Sequence, residues 1–152
     1  MAKYWIVVMS PEVLEKTREL GFTRHGFKST RRSQAGSIQP GDMLAFYITG
    51  RKKFGAVVRV TTPMVEEQTR VWQSLKKPAE MYPFRVGIEP VLVLDEADWP
   101  DAESYHERFG WTHKWPRANW ALAYQGNLHE IPEADFELLR KDMEARLTAT
   151  VR

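Results

Sequence analysis

Six tryptophans, seven phenylalanines and five tyrosines crowd a chain of 152 residues, with four histidines scattered among them. Aromatic side chains at this density can fill a core, and they can also wall a cavity that stacks a planar ligand. Every nucleobase offers a π-face, and stacking it on an aromatic ring contributes ~1–3 kcal/mol. An enclosed base also needs polar groups along its edge. Large aromatics serve packing first, so composition alone does not separate pocket from core.

The charges point the same way. The net charge is only +2, but eight basic residues (Arg24, Lys28, Arg31, Arg32, Arg51, Lys52, Lys53 and Arg59) lie between Gly21 and Arg59 against one acid, Asp42. From Glu89 onward thirteen acids face seven Lys and Arg. A basic region set against an acidic one suits a protein that turns one face to a polyanion, since Lys and Arg contacts to phosphate supply the sequence-independent part of nucleic-acid affinity. A solvated charged surface has the same composition.

Other chemistries lack their residues. The chain has no cysteine, which removes disulfides, thiolate catalysis and Cys-based zinc sites and favours a cytosolic setting. His25, His106, His113 and His129 do not have metal-ligand spacing, and His129-Glu130 is not followed by a second His in register. No phosphate-binding loop occurs, because no Lys-Ser/Thr pair follows Gly55. Ser74-Leu75-Lys76-Lys77 fits a Ser-x-x-Lys pattern whose partner motifs are missing. No catalytic group, cofactor or metal is expected. No apolar run approaches a membrane span, and the N-terminus lacks the features of a signal peptide.

The elements that must position these residues follow from pattern. Tyr4 to Met9 is a short apolar, β-branched run and reads as a strand buried on both faces. Ser10-Pro11-Glu12 then opens a helix, with Ser10 able to cap it and Pro11 suited to its first position. Val13, Leu14, Thr17 and Leu20 share its inner face, and Gly21 stops it. Phe22 to Gly36 reads as a surface loop. Pro40-Gly41-Asp42 is turn chemistry leading into a strand over Met43 to Thr49. A hairpin loop at Gly50 to Lys53 and a return strand over Phe54 to Thr61 follow. Phe84 to Leu94 is a strand in which Pro90 marks an edge or a bulge. Asp95 to Gly126 is irregular and aromatic-rich, with short strands and turns expected. From Pro132 an amphipathic helix carries Phe136, Leu139, Met143 and Leu147 at helical spacing. No linker or repeat interrupts residues 1–152, so a single domain is expected.

Several segments taken together resemble the EVE domain. Tyr4-Trp5-Ile6-Val7-Val8-Met9-Ser10-Pro11-Glu12 is similar to that family's first strand and helix start, and His25-Gly26-Phe27 to its following loop. Pro40 to Thr49 resembles its Pro-Gly-Asp strand and Phe54 to Val57 the return strand. Val71-Trp72 ahead of Tyr82 to Val86, and the helix start at Ile131 to Phe136, continue the match. The resemblance implies an α+β fold of the PUA-like kind, a small β-barrel flanked by helices, related to the YTH domains that bind a methylated adenine in an aromatic cage. It also implies a partner: DNA or RNA carrying a modified base, methylated or hydroxymethylated. By position, the resemblance puts Ser10 at the base edge and Gly26 with its backbone toward the base. His25 stands where those readers place a cage tryptophan, Phe27 shares the stacking, and Trp72 is the second cage aromatic. Arg24, Lys28, Arg31 and Arg32 would hold the phosphate backbone. On that reading Trp72→Ala weakens binding and leaves the fold intact. An enzyme of the PUA-like ASCH type acting on a modified nucleoside is an alternative, but it needs a pocket Glu that the sequence does not place. A protein-interaction adaptor using exposed aromatics from Trp99 to Trp115 is another.

Overall fold

The computed structural model describes the backbone of residues 2–151 and the side chains of residues 2–147. Along the chain run β1 (Tyr4–Met9), α1 (Pro11–Glu19), β2 (Arg24–Phe27), α2 (Arg32–Gly36), β3 (Met43–Ile48) and β4 (Lys53–Val60). Then follow β5 (Val65–Glu66), β6 (Phe84–Val93), β7 (Leu128–Ile131) and α3 (Glu133–Val151). The strands hydrogen-bond in the order β2-β6-β4-β3-β1-β7, with β5 also on β6. Among the described residues only β1 and β3 run parallel, with Ile6 opposite Ala45, and the chain between them carries α1, β2 and α2 across. The fold is α+β.

β1 is an interior strand, with β3 on one edge and β7 on the other, and its residues from Trp5 to Met9 are buried. The hairpin of β3 and β4 turns at Gly50 to Lys52, where Gly50 has φ 80°. Pro90 sits at a bulge: Val58 faces Pro90 while Val57 faces Leu92, so Val91 is the extra residue and the ladder tolerates a residue with no N–H to donate. The Pro-Gly-Asp turn does more than end a loop. The buried Asp42 carboxylate accepts hydrogen bonds from the backbone N–H of Lys3 (2.9 Å) and Gln39 (3.0 Å) and from the Trp5 indole (3.1 Å), tying the start of β1 to the start of β3.

Two expectations change. Arg24 to Phe27 is a strand, not a surface loop. It pairs antiparallel with β6, His25 opposite Val86, and buries His25, Gly26 and Phe27. Its composition carries no strand signal, and the pairing with a partner distant in sequence decides its conformation. Residues 95–126 form 3-10 turns in place of short strands. They lay Trp99, Tyr105, Phe109 and Tyr124 onto the sheet, where Tyr124 stacks on Tyr47 at 4.2 Å.

The sheet curls without a ladder between its two ends, and the Asn127 side chain ties the residue after β2 to β1. Asn127, 2% exposed, precedes β7. Its Oδ1 accepts from the Lys28 backbone N–H just past β2 (3.1 Å), and its Nδ2 donates to the Val8 carbonyl in β1 (2.9 Å). The Val8 N–H donates in turn to the Asn127 carbonyl (2.8 Å). An asparagine presents an acceptor and a donor on one planar group, so it can stand in for a ladder pair between strands that do not run side by side. Asn127→Ala leaves a buried N–H and a buried C=O unpaired, and should lower unfolding stability by about 2–4 kcal/mol, read as a lower urea midpoint at unchanged slope.

Candidate functional site

A cavity of ≈ 400 Å³ opens at the carboxyl ends of the parallel pair β1 and β3. One wall is the passage from β1 into α1 (Val8, Met9, Ser10, Pro11 and Glu12), and a second is Thr49-Gly50 past β3. Lys28, just past β2, closes a third side, and the segment ahead of β6 supplies Ser74 to Lys77 and Tyr82. The floor is apolar and the rim is basic.

Ser10 sits in the cap position of α1 with an extended backbone, but its hydroxyl makes no capping bond. The Oγ is buried and has no hydrogen-bond partner of regular geometry, although it is close enough to Glu12 to favour the ionised carboxylate. Burial pushes the Glu12 carboxyl up, while hydrogen bonds from its own backbone N–H, Ser10 and the Leu75 N–H outweigh it and hold the group below the ordinary carboxylate range. Glu12 therefore stands as a resident anion at the positive end of the helix. Lys28 is pulled down mainly by desolvation and further by Lys77, Arg31 and Lys76, with Glu80 opposing. A half-buried amine beside other cations gains most from an incoming anion.

The wall ahead of β6 is held by two side chains that sequence patterns do not single out. Glu80 accepts from the Ser29 N–H (2.9 Å), the Ser29 hydroxyl (3.0 Å) and the Tyr82 N–H (2.9 Å), so it staples the turn after Lys28 to the far wall. Arg85, 2% exposed, donates to the carbonyls of Tyr82 (3.0 Å), Met81 (3.1 Å) and Thr69 and to the Thr69 hydroxyl (2.7 Å). Together they hold Tyr82 in a left-handed backbone, φ 48°, which disfavours a residue with a side chain by ~1–2 kcal/mol.

Of the five residues expected around a base, only Ser10 lines this cavity. His25, Gly26, Phe27 and Trp72 are buried beneath it, in a layer of the core. His25 is 1% exposed and Trp72 0%. The Thr17 hydroxyl bridges them, accepting from the Trp72 indole (2.9 Å) and meeting His25 Nδ1 (2.8 Å). The His25 ring packs against Phe46 (5.0 Å) and Phe27 (5.7 Å). Gly26 has no side chain because the Trp72 ring covers it: a Cβ there would come within 2.9 Å of that ring and 2.7 Å of the Tyr82 carbonyl. Truncating Trp72 would cost the fold ~3–5 kcal/mol, so Trp72→Ala is no probe of binding alone. Among the described residues, Tyr82 is the one aromatic that lines the cavity.

The four basic residues expected on phosphate also divide. Lys28 faces the cavity. Arg24 lies over Trp72 at 5.9 Å, while Arg32 pairs with Glu66 at 3.1 Å and covers Phe84 at 4.9 Å. Arg31 is half-buried with its Nε unpartnered. Lys76 and Lys77 join Lys28 at the cavity instead. The aromatics proposed as an adaptor surface are inside as well: Trp99, Tyr105 and Phe109 are buried, and Trp111 and Trp115 are half-buried against the core. Among the described residues no group of three or more His, Asp or Glu could hold a metal ion, and no helix is long and apolar enough to cross a membrane.

Burial pushes the His25 imidazole from 6.5 down to about 3. The unfolded chain takes up a proton below pH 6.5 and the folded one does not, so stability present above that value is lost as the pH falls toward 3. Between pH 6.5 and 5 this residue should remove about 2 kcal/mol. Ring NMR signals of His25 should stay those of neutral imidazole over that interval. A His25 signal titrating near 6 would mean that the ring reaches water.

The chain is similar to proteins of known sequence and structure along nearly its whole length. The UPF0310 protein PH1033 of Pyrococcus horikoshii is 24% identical over 151 residues, 91% of this chain and 97% of the relative. The YTH domain of the Zygosaccharomyces rouxii MRB1 protein, solved in complex with N6-methyladenosine RNA, superposes with a TM-score of 0.61 at 15% identity, over 93% of this chain and 84% of that one. Human THYN1, solved in complex with 5-methylcytosine containing DNA, gives 0.58 at 14% identity, over 93% and 98%. These likenesses bear out the PUA-like fold. The model of the EVE domain matches residues 3–141, and the chain belongs to the EVE-domain family.

Proposed function

We propose that the chain is a nucleic-acid-binding module, without turnover, whose cavity beside Ser10 receives one modified base. The observation that carries this reading is a cavity of ≈ 400 Å³ with the buried Ser10 hydroxyl in its wall, which caps no backbone N–H and has only the Glu12 carboxylate near it. A buried hydroxyl with no bond of regular geometry gains when a ligand completes it, and a base edge offers the donors and acceptors to do so. Val8, Met9 and Pro11 provide an apolar surface for a methyl or hydroxymethyl group, worth ~0.8 kcal/mol per buried CH₂-sized unit. Tyr82 offers an aromatic edge. Lys28, Lys76 and Lys77 at the rim favour the flanking phosphates. The ligands of the MRB1 and THYN1 structures, a methylated RNA and a methylated DNA, support the same class of partner. Base recognition here rests on a polar and aliphatic pocket with one tyrosine in place of an aromatic cage.

Because the Ser10 hydroxyl caps nothing, Ser10→Ala should leave the melting temperature within a degree or two. The loss of one buried hydrogen bond to ligand, about 1–3 kcal/mol, should weaken binding of oligonucleotides carrying 5-methylcytosine or N6-methyladenine roughly 5- to 150-fold. Fluorescence anisotropy across a salt series reads both terms. Unchanged affinity in the variant contradicts the assignment.

One observation favours a second reading. The cavity brings Ser10, Glu12 and Lys28 together, which supplies the pocket carboxylate that an acyl-transfer enzyme would need. Release of acid from acylated nucleosides, abolished by Lys28→Ala, would establish that reading. The binding proposal expects none.

A further inference from the structure

Leu75 is 78% exposed, the most exposed of the large hydrophobic side chains among the described residues. It stands on the cavity rim between Ser74 and Lys76. Such exposure in a loop can be incidental, but this loop is held in shape. The Leu75 N–H points to the Glu12 carboxylate (3.4 Å), the Lys77 N–H donates to the Ser74 hydroxyl (3.1 Å), and the Glu80 N–H donates to the Lys77 carbonyl (3.0 Å). Arg70 donates to the Pro78 carbonyl at 2.9 Å. The backbone is thus fixed against the first turn of α1, while the leucine is directed outward and the two lysines beside it have no ion-pair partner among the described residues.

An apolar side chain held out beside basic residues and next to a base-sized cavity has a specific physical use. Taking a paired base into the cavity leaves a hole in the duplex stack, and proteins that unstack or kink DNA fill such gaps with Leu, Ile, Met or Phe. We infer that Leu75 is a wedge that enters a DNA duplex at the position vacated by the base held beside Ser10, with Lys76 and Lys77 on the flanking phosphates. The inference rests on the base-pocket reading and extends it: the ligand is a duplex, and the protein extrudes the base itself. Leucine is suited to the role because it gains from the apolar stack what it loses by standing in water, and it makes no hydrogen bonds that would prefer one sequence.

The test compares the wild-type protein with Leu75→Ser on one DNA sequence bearing a central 5-methylcytosine, as a duplex and as a single strand, with 2-aminopurine next to the modified base. The wild type should bind the duplex and raise 2-aminopurine fluorescence as stacking is lost. Leu75→Ser should suppress the rise and weaken duplex binding at least tenfold, a markedly larger factor than its loss on the single strand, where Leu75 acts only as part of the cavity rim. Since Leu75 is exposed, the variant should melt with the wild type. Equal loss on both ligands, no loss on either, or no duplex binding by the wild type would overturn the wedge. If the wild type binds the single strand but not the duplex, only the wedge fails. If it binds neither, the base pocket fails with it.

Discussion

The geometry of the cavity depends on how the end of β2 is held against the β1–β7 edge of the curled sheet, and Asn127 makes the contact that touches both. β2 and the β1–β7 pair are not ladder partners, so no run of backbone bonds brings them together. The Asn127 carboxamide does, by taking the Lys28 N–H on one side and giving to the Val8 carbonyl on the other, and Gln34 of α2 adds a bond to the Leu128 carbonyl of β7 at 3.1 Å. Lys28 and Val8 are themselves cavity walls, so the contact that joins the two ends of the curled sheet also bears on the width of the opening. Elsewhere on the rim Glu80 fixes the residues after Lys28 to the segment ahead of β6, and Arg85 fixes that segment from below.

Beneath the cavity lies a second polar arrangement of a different kind. Thr17, His25 and Trp72 share a hydroxyl inside a layer of aromatic rings, and the far nitrogen of His25 has no partner. Desolvation keeps that ring neutral. A neutral imidazole can lie against Phe46 and Phe27 as a flat hydrophobe while its other nitrogen satisfies the threonine. A charged ring could not be accommodated there, since an unpaired buried cation is expensive. Within this layer Gly26 is the point where the Trp72 ring comes too close to the backbone for any side chain.

Much of the fold could be read along the chain because its signals are local. The apolar run at Tyr4, the Gly50 turn between two β-rich segments, the bulge at Pro90 and the helical spacing from Phe136 each lie within one element. β2 could not be read that way. Arg24-His25-Gly26-Phe27 has neither alternation nor a β-branched residue, and it is a strand only because β6 lies beside it. The site divides in the same way. Ser10 was legible because the end of a buried strand meeting a helix start is a local pattern. His25 and Trp72 were placed by chain order in a family resemblance, which fixes which loop a residue belongs to but not which way it faces. Once β2 is a strand, its residues turn inward and Lys28, the first beyond it, reaches the cavity. Glu80 and Asn127 act across long sequence separations, to Ser29 and to Lys28 and Val8, and carry no local mark.

The central claim is that a base enters the cavity beside Ser10. The direct measurement is an amide NMR titration with an oligonucleotide carrying one modified base. The account predicts the largest shifts at Ser10, Lys28, Thr49 and Lys76, with the indole N–H of Trp72 nearly unmoved in the layer below. Shifts centred instead on the half-buried tryptophans Trp111, Trp115 and Trp120, with Ser10 and Lys28 unchanged, would contradict it.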